Sequence, residues 1–151
     1  MKKNLEVIVL LMAMVLTYGC SGSGGGETPE PEDTQKPEMT VSIPTEGATV
    51  SKGRELQLSG VFTDDMELES LTVAIRFNQN KAATGIDDPW EPVNSPEVIT
   101  LSGKTDELKE YSLYGEAIPA DCKGGSYVLT LDLKDKSGKM TSKQINISIG
   151  G

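Results

Sequence analysis

The 151-residue chain contains no histidine, two cysteines, one tryptophan and only 5% aromatic residues. Without histidine, Ser-His-Asp and Cys-His nucleophilic systems have no base, and the commonest zinc ligand is missing. Two cysteines, Cys20 and Cys122, are too few for the dense disulfide framework of small secreted scaffolds. Basic charge is also scarce: 14 Lys and Arg face 23 Asp and Glu, leaving a net charge of −9 at pH 7. Such a surface repels phosphate backbones, so nucleic acid is excluded as a partner. No apolar run is long enough to cross a bilayer in a helix, which takes ~20 residues.

The longest apolar run, "VIVLLMAMVL" at residues 7–16, follows Lys2 and Lys3 and gives way to short residues up to Gly19. That order is a signal peptide's positive n-region and apolar h-region, although Glu6 lies unusually close to the lysines. The stretch "LTYGC" that follows resembles a bacterial lipobox. An apolar residue, Leu16, stands four before the cysteine and Gly19 immediately before it; Tyr18 occupies a position where the pattern usually has a small residue. The resemblance implies that residues 1–19 are removed and that Cys20 is diacylated and becomes the new N-terminus. Each buried CH₂ contributes ~0.8 kcal/mol, so two acyl chains anchor a protein far more firmly than one. Lipidation of Cys20 would leave Cys122 without a disulfide partner in its own chain. Removing residues 1–19 takes away two lysines and one glutamate and makes the remainder more acidic still.

Residues 20–37 read as the lipidated cysteine and a tether. "SGSGGGETPEPEDTQKP" has no large apolar residue and three prolines, a composition that cannot bury enough surface to order itself. From residue 38 to 150 the pattern becomes short runs of period two, the spacing that sends successive side chains to opposite faces of a sheet. Met39, Val41 and Ile43 share one face of "MTVSI", and Leu56, Leu58 and Phe62 one face of "LQLSGVF". In "LTVAIRF", Leu71, Val73, Ile75 and Phe77 alternate with Thr72, Ala74 and Arg76. "EVITL", "ELKEYSLY", "YVLTLDL" and "INISI" complete seven predicted strands, separated by turn sequences such as "PTEG", "SGK" and "DKSGK". No window holds a helical period. Seven half-buried strands in a segment of this size predict an all-β, immunoglobulin-like antiparallel sandwich; an up-and-down barrel is the alternative and usually takes an eighth strand.

"DCKGGSYVLTL" at residues 121–131 has the arrangement of a tyrosine corner, in which Tyr127 would bond its hydroxyl back to the chain a few residues upstream. The paired cysteines of antibody domains are absent, with Leu58 and Leu129 expected in their places. Together, "GRELQLSGVFTDDMELESLTVAIRFN" (residues 53–78), Trp90, "AIP" (117–119) and "GGSYVLTLDLKDKSGK" (124–139) resemble a group of Bacteroidota lipoproteins. These carry a single Ig-like domain of unknown function, of the DUF4625 kind. The resemblance implies the same fold and the cell envelope. Members often have a histidine-rich stretch near the end of the third sandwich strand, suggestive of metal; the matching "IRFNQNKAATG" (residues 75–85) has no histidine, so that role does not carry over.

Five acidic residues lie in predicted connections: Asp64 and Asp65 after the second strand, Asp87 and Asp88 in the long connection after the third, and Asp135 at the last turn. Gathered at one end they could offer calcium its six to eight oxygen ligands. Turn aspartates capping their own backbone and otherwise solvated is the favoured reading, so no metal is expected. Trp90, between Pro89 and Pro92, is either an exposed ledge for a sugar ring or partner loop, or, as the favoured reading, a lid over one edge of the core. Cys122, beside Lys123, reads as a small packed residue in preference to a reactive thiol. Carboxylate pairs suited to glycoside hydrolysis arise by chance in so acidic a chain, and no catalytic residue is assigned.

These features predict a lipid-anchored, non-enzymatic binding or accessory module of the bacterial envelope. Its only cofactor would be the covalent lipid on Cys20, its membrane contact that lipid, and its partner a protein or glycan. An outer-membrane lipoprotein is expected. Ser21 suits that sorting, and glycines where surface-exposed relatives carry acidic residues leave the periplasmic and outer faces both open. The alternatives are a calcium- or glycan-binding surface lipoprotein associated with carbohydrate uptake, and a purely structural envelope component.

Overall fold

The computed structural model describes residues 32–79 and 88–150. It contains eight strands: β1 (Glu38–Ile43), β2 (Thr49–Ser51), β3 (Glu55–Thr63), β4 (Leu68–Phe77), β5 (Glu97–Thr100), β6 (Thr105–Ala117), β7 (Gly125–Asp135) and β8 (Met140–Gly150). They form two sheets, ordered β1-β3-β6 and β2-β8-β7-β4-β5, an Ig-like β-sandwich. Seven strands arise from the alternating runs. The eighth, β2, is three residues long, too short to display a period of two. It lies parallel to β8, pairing Val50 with Ile149, so the sheets are not wholly antiparallel. The short β5 pairs with β4, Leu71 opposite Ile99, which widens the β7 sheet to five strands.

The inner faces meet in one core. Leu56, Leu58 and Phe62 come from β3, Leu71 and Val73 from β4, Leu129, Leu131 and Leu133 from β7, and Ile145, Ile147 and Ile149 from β8, all buried. Fully burying a Leu, Ile or Phe side chain contributes about 1.5–3 kcal/mol. Leu58 and Leu129, expected where antibody domains carry their cysteines, are both fully buried, one in each sheet.

Two strands depart from strict alternation, and a bulge explains each. Val41 faces Gly60 while Ile43 faces the adjacent Ser59, so β1 spends an extra residue against β3. The slip turns Ile43 outward, 41% exposed, instead of onto the face of Met39 and Val41. In β6 the register shifts against β3 between the pairs Leu58–Tyr111 and Gly60–Leu108, and Glu110 within the shift has φ +46°. Further on, the consecutive Leu113 and Tyr114 are both buried, with Tyr114 at φ +65°. A bulky residue in the left-handed region is strained and persists only where its surroundings hold it.

β1 and β3 also come unusually close at Gly60, where a Cβ would stand 2.8 Å from the Thr40 carbonyl oxygen and 3.3 Å from Val41 Cα. Both neighbours are backbone and cannot swing aside. The tyrosine corner is formed: the Tyr127 hydroxyl donates to the Lys123 carbonyl at 2.6 Å and accepts the Trp90 backbone N–H at 2.9 Å. One buried oxygen thus joins the start of β7 to the β4–β5 connection.

Two stability predictions follow from these contacts. Gly60→Ala should cost ~1–3 kcal/mol through the forced separation of β1 from β3, read as a lower urea midpoint; an unchanged midpoint would mean that the close approach is not maintained. Tyr127→Phe leaves the Trp90 N–H and the Lys123 carbonyl unpaired and should cost ~1–3 kcal/mol.

A third concerns alkaline pH. Burial raises the pKa of Tyr127 above its ordinary 10.0, with nearby Cys122 adding to the effect and the Trp90 N–H opposing it. Burial, with the charge of Glu97, raises that of Tyr114 further, and a hydrogen bond to Glu97, followed by burial, raises that of Tyr111. Because the folded state favours the neutral phenols, their contribution is fully present below pH ~10 and is lost as pH climbs through the raised folded values. Tyr127→Phe should therefore lose less stability than the parent between pH ~9.5 and ~11.5, a window of about two units around the ordinary phenol pKa; parallel losses would show that Tyr127 is not titrating from a buried state.

Candidate functional site

β7 runs between two chemically different ends of the domain. At its C-terminal end, Asp64 follows β3 and its Oδ2 accepts the backbone N–H groups of Met66 and Glu67 at 2.9 and 2.8 Å, the local capping for which turn aspartates are selected. Asp135 closes β7; its Oδ1 accepts the Lys139 N–H at 2.9 Å and the Ser137 hydroxyl at 2.8 Å. These two carboxylates are joined by Asp33, on which Lys139 Nζ makes an ion pair at 3.0 Å. Carboxylate oxygens of Asp33, Asp64 and Asp135 lie within 4.8 Å of one another.

Three oxygens at this end, Asp64 Oδ1, Asp65 Oδ1 and Asp135 Oδ2, are shielded from solvent and have no hydrogen-bond partner. Asp135 is not a solvated turn residue, since its exposure is 0%. Strand periodicity explains why: Tyr127, Leu129, Leu131 and Leu133 point inward, and the next residue of that face is Asp135. The alternation in the sequence carries this signal. Asp33 carries none, because it sits among the charged and proline residues of the tether composition. It is nevertheless held to the domain by Lys139, whose Nζ also donates to the Asp33 carbonyl at 2.8 Å. Desolvation pushes the Asp33 carboxyl upward, but hydrogen bonds from Lys139, Ser137 and the Gln35 backbone, together with the charge of Lys139, outweigh it and hold the group below its ordinary pKa.

Asp88 is not part of this cluster. Its carbonyl accepts the Lys123 N–H at 2.7 Å, just before β7 begins, whereas Asp135 is that strand's last residue. Eleven strand residues span roughly 34 Å at about 3.4 Å each, so Asp88 and Asp135 cannot share an ion. Asp87 lies outside the described residues. The acidic connections therefore do not all gather at one end: the β3–β4 and β7–β8 turns meet, and Asp88 stands at the opposite end.

At that opposite end Trp90 is a lid. It is 3% exposed, its Nε1–H donates to Glu116 Oε1 at 3.0 Å, and its ring meets Tyr114 edge-on at 5.8 Å between centroids. An exposed aromatic ledge does not form. Cys122 is buried under the same region, 5% exposed. Glu97 reaches from β5 to the other sheet, accepting the Tyr111 hydroxyl at 2.7 Å and the Tyr114 N–H at 2.6 Å, while Asn94 Nδ2 donates to the Tyr114 carbonyl at 3.0 Å. These bonds hold the strained Tyr114 in place and couple the β5 and β6 edges.

Sequence reading did not single out Glu97 or Asn94, because a connection between strands from different sheets leaves no local pattern. Outside the Trp90 lid lies an open groove of about 720 Å³ bordered by Arg76, Asn78, Gln79, Pro89, Glu91 and Ser95. A shallower hollow of about 510 Å³ adjoins it through Pro89 and Glu91 and includes Asp88, Glu116 and Asp121. The groove offers donors and acceptors from amide, guanidinium and carboxylate groups, the set that binds polar ligands.

Several solved structures share similarity with this chain. The fibronectin(III)-like modules of Clostridium thermocellum CbhA match at 11% identity and a TM-score of 0.40, covering 75% of this chain and 96% of theirs. CopC from Methylosinus trichosporium OB3b matches at 13% identity and a TM-score of 0.34, covering 75% and 94%. Catalytically inactive OgpA from Akkermansia muciniphila, in complex with an O-glycopeptide substrate, matches at 18% identity and a TM-score of 0.35, covering 81% of this chain and 32% of that one. No curated protein matches the chain. The model of one family, described as Domain of unknown function (DUF4625), matches residues 21–150. With that match extending over nearly the whole chain, the protein belongs to the DUF4625 family.

Proposed function

We propose that the protein is a lipid-anchored, non-enzymatic binding or accessory module of the bacterial outer membrane, attached through diacylated Cys20. Its ligand, a protein segment or glycan, would be engaged by the polar groove beside Trp90. The observation that carries this reading is the position of Asp33. Lys139 pins it at the acidic end of the domain, so the first described residues enter the sandwich at that end while the groove lies at the other.

A binding role also suits the way the groove is supported. Pro89 and Glu91 flank a buried tryptophan whose backbone and ring are both hydrogen-bonded, which gives a ligand a wall that is already ordered and lowers the cost of binding. The absence of histidine from the whole chain removes the commonest general base, which favours binding over catalysis.

Expression of the parent chain and Cys20→Ala in a bacterium with lipoprotein-processing enzymes tests the anchor. The parent should incorporate labelled palmitate and partition into detergent; the variant should do neither and should keep the parent's melting temperature, because the anchor lies outside the strands. A variant that still partitions into detergent, or a parent that takes up no label, would overturn the proposal.

A further inference from the structure

We propose that Asp33, Asp64 and Asp135 form a calcium site that fastens the start of the folded domain to its β3–β4 and β7–β8 turns. Their carboxylate oxygens lie within 4.8 Å of one another, close enough to bind one ion and close enough to repel one another without it. Asp135 supplies the observation that a surface acid cluster lacks. It is 0% exposed, and its Oδ2 has no hydrogen-bond partner, although a buried carboxylate oxygen is costly unless paired. Asp64 Oδ1 is likewise shielded and unpartnered, while the other oxygen of each residue caps a turn. Each carboxylate is thus held by one oxygen and leaves the other for a ligand.

Charge points to a divalent cation. Three carboxylates and the Lys139 ammonium, which is paired with Asp33, leave a local charge of −2. Among the described residues no ion pair reaches Asp64 or Asp135. An all-oxygen donor set suits a hard ion. Oxygens within 4.8 Å of one another can share one ion, and calcium accepts irregular, carboxylate-rich protein sites, whereas magnesium demands near-ideal octahedral geometry and keeps several of its waters. Asp65, whose Oδ1 is also shielded and unpartnered, follows Asp64 directly but is not one of the three carboxylates that gather, so water would complete the coordination.

Binding would order more than the two turns. Asp33 precedes β1, and a shared ion would fasten it to both turns. Lys139 already does this weakly with an ammonium, and a divalent ion would do it with bonds to both turns.

The test uses the purified full chain in detergent, stripped with EDTA. Calorimetric titration with calcium chloride should show one site, and saturating calcium should raise the melting temperature by several degrees, as ligand binding to the folded state requires. Magnesium at equal ionic strength should give much less. Asp33→Asn, which leaves both turn caps intact, and Asp64→Asn, whose amide oxygen can still cap Met66 and Glu67, should each weaken calcium binding by about tenfold or more, as expected for loss of a charged ligand. In EDTA, Asp64→Asn should melt no lower than the parent, since it removes one of three mutually repelling charges. An equal response to magnesium or sodium, or a calcium response that survives in both variants, would overturn the site and leave only general screening of an acidic surface.

Discussion

Strand β7 is the constraint on which the rest of the domain depends. It lies between β4 and β8, paired along nearly its whole length with both, and its inward residues Tyr127, Leu129, Leu131 and Leu133 are fully buried. Central strands lose no ladder bonds to solvent, and their side chains pack against the opposite sheet along the whole face. The same inward face ends in a polar group at each terminus. Tyr127 bonds the β4–β5 connection through its hydroxyl, and Asp135 brings a carboxylate under the β3–β4 turn. Both ends of the molecule are therefore registered against one strand, and a slip of one residue would dismantle them together.

This arrangement explains what could be read from the residues and what could not. Period two in β3, β4, β7 and β8 is long and clean because one face of each meets the core, and Tyr127 was legible because its partner lies only four residues upstream in Lys123. β2 escaped notice because three residues cannot establish a period, and Ile43 faced the wrong way because a bulge is invisible to alternation. Asp33, Asn94 and Glu97 act across long sequence separations, Asp33 with Lys139 over 106 residues, and nothing local marks such contacts. Asp135 is the instructive case. Turn chemistry for an Asp-Lys-Ser-Gly sequence predicts a solvated cap; the cap forms through Oδ1, but alternation with Leu133 carries the whole residue into the buried face.

The two ends also divide the chemistry of the domain. The acidic end combines buried charge with Asp33, held there by Lys139, and the groove end combines a hydrogen-bonded tryptophan lid with open amide and guanidinium groups. Long-range electrostatics would not confuse them, since a separation of roughly 34 Å along β7 far exceeds the ~8 Å screening length at physiological salt. A ligand in the groove and an ion at the acidic end would communicate only through the packed strand between them.

Native-state hydrogen exchange tests the central role of β7 most directly. If that strand holds the domain together, the amides of Leu129, Leu131 and Leu133 exchange only by global unfolding, while those of β1 and β5 at the sheet edges open at lower free energy. Protection in β7 equal to or below that of the edge strands would contradict it.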